Sequence, residues 1–149
     1  MKILNEYIQT ALLNNGKKQT SEKIIKKSVK AIQKQSSINH KFLIKKAIIF
    51  SIFIFKIEKQ SNKRGKKKTV KEIPSFISND NTRKNKSLQN LKNSSMSNKE
   101  FNTFYKKFSN EILSSCAKKS ETINNRNIIN KHVLSKKRFL NQFRWKKRV

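Results

Sequence analysis

The chain has 149 residues, with 37 Lys and Arg against 8 Asp and Glu, a formal charge of +29 and a sequence pI near 10.6. So much unpaired charge repels itself and calls for a polyanionic partner, either a nucleic acid, whose counterions are released on binding, or an anionic membrane surface. The lone Cys116 excludes an internal disulfide framework, and the longest apolar stretch, 47–55 broken by Ser51, is far short of the ~20 residues of a membrane helix.

High charge with low hydrophobicity also marks disorder. Here 34% of residues are hydrophobic and they fall in a helical rhythm, so one small domain over 1–149 is expected. The fold class it predicts is mainly α, five to six helices with one protruding β-hairpin. Ile3, Leu4, Tyr7, Ile8, Ala11 and Leu12 form a stripe that predicts a helix over about 3–14. Asn14-Asn15-Gly16 stops it, with Gly16 as a left-handed cap. Thr20 or Ser21 starts a second helix over about 20–34, with Ile24, Ile25, Ser28, Val29 and Ile32 inward.

A third helix over about 38–50 runs through Phe42, Leu43 and Ala47. From there the character changes. Ile52 to Glu58 is β-branched and aromatic, Ser61 to Lys68 is a basic loop around Gly65, and 69–77 returns with Pro74. This predicts a hairpin over about 52–77, with Pro74 at an edge because it has no N–H to donate. Residues 78–97 are polar and alone would pass for a linker, although one short helix over about 84–96 fits Leu88, Leu91 and Met96.

Phe101, Phe104, Tyr105, Phe108, Ile112 and Leu113 form the strongest amphipathic pattern, a helix over about 100–118. Their spacing fits a core face rather than a base-stacking platform. Cys116 continues that stripe as a small buried hydrophobe. A last helix over about 126–142 turns Ile128, Ile129, His132, Val133, Phe139 or Leu140, and Phe143 inward.

No constellation for catalysis stands out, and the chain is not expected to be an enzyme. His40, His132 and Cys116 lie too far apart in sequence to suggest a metal site, and no cofactor is expected. Binding chemistry is easier to place. Lys17 and Lys18 follow a helix end and precede the next helix start, where ammonium groups and free amides can meet phosphate; otherwise they are two solvated lysines in a turn. Lys63, Arg64, Lys66, Lys67 and Lys68 concentrate charge at the hairpin tip, with Lys56 and Lys59 on the strand leading to it. That suits an RNA backbone read by shape, or else a solvated loop. Arg83 and Lys84 add charge after the hairpin. Lys137, Arg138 and Arg144 close the chain with Trp145, which either stacks on a base or packs against the body.

Several of these segments together resemble one family. Residues 12–25, LLNNGKKQTSEKII, are similar to the helix–Gly-Lys-Lys–helix segment of the bacterial-type small-subunit ribosomal protein seven family, through Gly16, Lys17, Lys18, Thr20, Glu22, Ile24 and Ile25. Residues 42–77 resemble its helix and basic hairpin, with Ile73-Pro74 where the family has an aliphatic–proline pair. Asn110-Glu111-Ile112, Lys137-Arg138 and Phe143-Arg144-Trp145 follow in the family's order. The chain departs from the pattern in lacking the basic arm before the first helix, in its Arg64-to-Lys68 tip, and in a fourth helix reduced to Arg83, Lys84 and Leu88.

The resemblance implies a helical body that binds the 3′ major domain of small-subunit rRNA. It also implies a role in head assembly beside neighbouring head proteins, close to the mRNA path and the exit-site tRNA. Abundant Lys, Asn and Ile, residues of A- and T-rich codons, point to an organelle: the mitochondrion, with the plastid as alternative. No secretory signal or presequence pattern opens the chain. Charge alone leaves a basic DNA- or chromatin-binding protein and a membrane-surface amphipathic protein as rivals, the latter through residues 42–56. No membrane partner is expected.

Overall fold

Four helices pack around one central helix, Phe104–Cys116. The computed structural model describes residues 2–64 and 67–136. In chain order these are α1 (Lys2–Leu12), α2 (Lys18–Gln35), α3 (His40–Ser51), β1 (Phe55–Arg64), β2 (Lys67–Phe76), α4 (Asp80–Ser97), α5 (Phe104–Cys116) and α6 (Glu121–Ser135). Helix α5 packs on α2, α3, α4 and α6, while α1 lies across α2 and α4. The core joins Ile8 and Leu12, Ile32, Leu43, Ile44, Ala47 and Ile48, Leu88 and Leu91, and Phe108 and Ile112. The expected mainly α architecture with one antiparallel hairpin is observed.

Several boundaries differ from the sequence pattern. Helix α3 starts at His40, because Asn39 Oδ1 accepts the Lys41 N–H at 3.0 Å; Ile38 and Phe42 stay exposed, the latter 58%. The strand expected from residue 52 begins at Phe55. Ile52 closes α3 through an N–H to the Ile49 carbonyl, and Phe53 is buried. Pro74 sits opposite Ile57 in a two-stranded ladder, where both strands are edges.

Helix α4 is a full 18-residue helix that begins at Asp80, four residues before the expected start. Asn79 caps it by accepting the Asn81 N–H at 2.9 Å. Its buried face is Ser87, Leu88, Leu91, Ser94 and Ser95. Serine is small enough to let the helices approach closely. Ser87 Oγ and Ser51 Oγ of α3 lie 2.6 Å apart, both fully buried, and Ser51 also reaches the Ala47 carbonyl at 2.8 Å.

Helix α5 is shorter than expected and leaves Phe101 before its start. It ends where Lys118 turns left-handed (φ 61°) and the Lys119 N–H bonds back to the Ser114 carbonyl, a Schellman closure. Helix α6 starts at Glu121, five residues earlier than the pattern suggests, because Ser120 accepts the Ile123 N–H. Its buried residues are Thr122, Ile123 and Val133. Ile128, expected inward, is 62% exposed, and Ile129 and His132 are half-buried. Phe139, Leu140 and Phe143 lie outside the described residues.

Candidate nucleic-acid interface

The first cationic element is the turn between α1 and α2. Asn15 (φ 51°) and Gly16 (φ 73°) both adopt the left-handed conformation, which glycine enters without a Cβ penalty. Lys17 (φ −75°, ψ 73°) then centres an inverse γ-turn, closed by the Lys18 N–H to the Gly16 carbonyl at 2.8 Å. No side chain caps α2. Thr20 and Ser21 instead donate back to the Lys17 and Lys18 carbonyls at 2.6 and 2.7 Å. The Gln19 and Thr20 amides and the positive end of the helix therefore stand beside two exposed lysines. Lys92 of α4 holds the turn in place, donating to the Ala11 carbonyl at 3.2 Å and to Asn14 Oδ1 at 2.7 Å.

The hairpin carries a gradient of charge. At its base, Phe55 and Phe76 pair across the strands with ring centroids 4.6 Å apart. Lys56 meets Glu58 at 2.5 Å, and that hydrogen bond draws the Glu58 carboxyl below its ordinary range. Glu72 accepts from Lys136, and His132 Nε2 lies 3.0 Å away, with Lys59 at 3.9 Å. The Lys136 and His132 hydrogen bonds lower its pKa to about 2. Lys56 and Lys59 thus face carboxylates. Beyond them, residues 61–71 contain no acid at all.

The register sets Lys63 opposite Lys68 and Arg64 opposite Lys67, so the last two rungs pair cation with cation. Like charges on residues directly opposed across a ladder cost it stability. Gly65 and Lys66 lie outside the described residues, as do Lys137, Arg138, Arg144 and Trp145.

After the hairpin, Arg83 is engaged internally. Its Nε donates to the Ile77 carbonyl at 2.6 Å and its Nη1 to Asp80 Oδ1 at 3.2 Å, clasping the entry to α4. Lys84 is exposed.

Four cations that the sequence did not single out gather around residues 50–53, the end of α3 and the start of its connection to β1. Lys46 and Lys118 lie 5.7 and 4.9 Å from the Phe50 ring centre, and Lys86 lies 5.6 Å from that of Phe53. Arg126 Nη1 donates to the Phe50 carbonyl. Burial and the charge of nearby Lys56 lower the Lys86 pKa, as expected where cations crowd. These residues come from α3, α4, α6 and the loop after α5. No motif links them, and the one available signal was the aromatic run they surround.

Cys116 is half-buried and donates to the Leu43 carbonyl at 3.1 Å; burial raises its thiol pKa. Among the described residues no group of His, Cys, Asp and Glu could hold a metal ion, and no helix is long and apolar enough to cross a membrane. The geometry of the described residues is that of a helical body carrying exposed cationic elements.

No curated protein matches the chain. The family model of ribosomal protein S7p/S5e matches residues 2–137, from α1 through the hairpin to the end of α6. The chain therefore belongs to the ribosomal protein S7p/S5e family, and is a small-subunit ribosomal protein that binds rRNA and joins other proteins of the subunit.

Proposed function

We propose that this chain is a structural constituent of an organellar ribosome, holding the 3′ major domain of small-subunit rRNA and aiding assembly of the subunit head. In this reading it lies near the mRNA path and the exit-site tRNA, beside other head proteins, and works by neutralising and positioning phosphate. The observation that carries it is the segregation of charge along the hairpin. Glu58 and Glu72 neutralise the base, whereas the acid-free distal strands carry opposed Lys63/Lys68 and Arg64/Lys67. Such an element is stable when phosphates lie along it. The uncapped α2 turn with Lys17 and Lys18 supplies a second phosphate contact on the body.

The organellar reading rests on composition, rich in Lys, Asn and Ile with 2 Gly and 1 Pro. The mitochondrion is favoured over the plastid by the departures from the family pattern at the hairpin tip and in the basic residues of α4. Sedimentation of tagged protein with organellar ribosomes tests it: co-migration with the small subunit in low salt, with chemical footprints confined to the 3′ major domain, is expected. Protein left at the top of the gradient above intact subunits would defeat it.

A further inference from the structure

Away from the hairpin, whose main helical neighbour is α6, helices α2 and α5 enclose a groove of about 500 Å³. Ser28 Oγ donates to the Tyr105 carbonyl at 3.3 Å and fixes the two helices where the groove forms. Lys27, Lys30, Lys34 and Lys106 line it and are exposed, Phe101 and Tyr105 are half-buried between them, and no acidic residue takes part. Lys27 lies 5.7 Å from the Tyr105 ring centre, so the aromatic face already holds a cation.

We propose that this groove is a second RNA site, one that takes a single-stranded segment with its phosphates along the α2 lysines and a base against Tyr105 or Phe101. Lys27, Lys30 and Lys34 recur about one helical turn apart, roughly every 5.4 Å, a spacing that follows a single strand's successive phosphates. Half-buried rings between ammonium groups supply what a base needs and a bare lysine patch lacks, since stacking works for every base. An acidic peptide would satisfy the lysines but leave the Phe101 ring unused. The inference rests on the chain being an rRNA binder and adds a surface on another side of the body. The protein would then hold a helical rRNA element and an unpaired strand at once.

The test uses the full chain, a short fluorescent oligouridine and a duplex fragment of the 3′ major domain. The triple variant Lys30→Gln, Lys34→Gln, Lys106→Gln changes exposed residues and should fold normally. It is expected to weaken oligouridine binding at least about tenfold, with a salt slope shallower by roughly 0.7 for each phosphate no longer neutralised, while duplex binding stays within about twofold. Photo-crosslinking with thiouridine should mark Phe101 or Tyr105. Unchanged oligouridine affinity, or crosslinks confined to the hairpin, would overturn the proposal. So would polyglutamate binding that depends on these lysines while oligouridine fails to bind. If wild-type protein binds oligouridine through these lysines but not the duplex, the rRNA reading of the hairpin falls and the groove stands.

Discussion

Glu111 of α5 holds the start of α6 through Thr122, accepting its N–H at 3.1 Å and its hydroxyl at 2.5 Å, with both residues buried. A carboxylate placed at a helix N-terminus satisfies orphan amides and opposes the positive end of the dipole. The Asn110-Glu111-Ile112 segment that resembles the family is therefore a joint between two helices. Glu111→Ala should destabilise the protein by about 1–3 kcal/mol, because it strands two buried donors. Glu111→Gln, which keeps an acceptor, should lose less than that. Urea unfolding of the two variants measures both.

Ser87 and Ser51 make the α3–α4 contact close. Leucine at 87 would force the helices apart, and Ser87→Leu is expected to cost about 1–3 kcal/mol. Ser87→Ala keeps the volume small, and Ser51 still has the Ala47 carbonyl, so a loss of about 1 kcal/mol or less is expected. Equal losses for the two variants in thermal unfolding would show that packing is not the constraint.

Phe108 is buried and Phe104 is half-buried, with their rings stacked at 6.0 Å. Phe108→Ala should cost about 3–5 kcal/mol. Phe104→Ala should cost clearly less, since part of its ring is already in water. Denaturant midpoints at constant slope give the comparison.

Glu72 links β2 to the end of α6 and has its pKa lowered to about 2 by the hydrogen bonds from Lys136 and His132. A carboxyl lowered in the folded state contributes stability that is present above its ordinary value of 4.5 and is lost as pH falls toward about 2. Protection factors against hydrogen exchange at the end of α6, corrected for the intrinsic pH dependence of exchange, should therefore fall between those values. In Glu72→Gln this part of the pH dependence should be absent, and protection at pH 7 should already be reduced.

The charge gradient of the hairpin makes a contrast between its two ends. Replacing Lys63, Arg64, Lys67 and Lys68 by Gln should weaken rRNA binding and flatten its salt dependence by about 0.7–0.9 for each phosphate left without its cation. Lys56→Gln should change the slope little, because Lys56 is already paired with Glu58. Arg83→Gln should lower stability by about 1–3 kcal/mol, because its hydrogen bonds to the Ile77 carbonyl and Asp80 are removed, with the salt slope kept. Binding titrations across a salt series separate the three.

Much of the fold was legible where a stripe of large apolar residues repeats at helical spacing, as in Tyr7, Ile8 and Leu12 or Phe104, Phe108 and Ile112. The left-handed Gly16 was legible for a related reason, since few residues tolerate that backbone. Helix α4 was largely hidden because three of its five buried positions are serine, and a hydrophobic pattern cannot show a face that is buried by being small. The start of α6 was hidden because its caps, Ser120 and Glu111, are polar and one comes from another helix.

The sequence by itself determined the sign of the partner, the helical character, the hairpin and the family, because charge and side-chain periodicity are local properties of the chain. Tertiary structure alone decided which cations are free. Lys56, Lys136 and Arg83 read in the sequence like any other basic residue, yet Glu58, Glu72, Asp80 and the Ile77 carbonyl engage them. Lys27, Lys30, Lys34 and Lys106 become one groove when α2 meets α5. Electrostatic pairing depends on distance through space, and the packing of helices sets that distance.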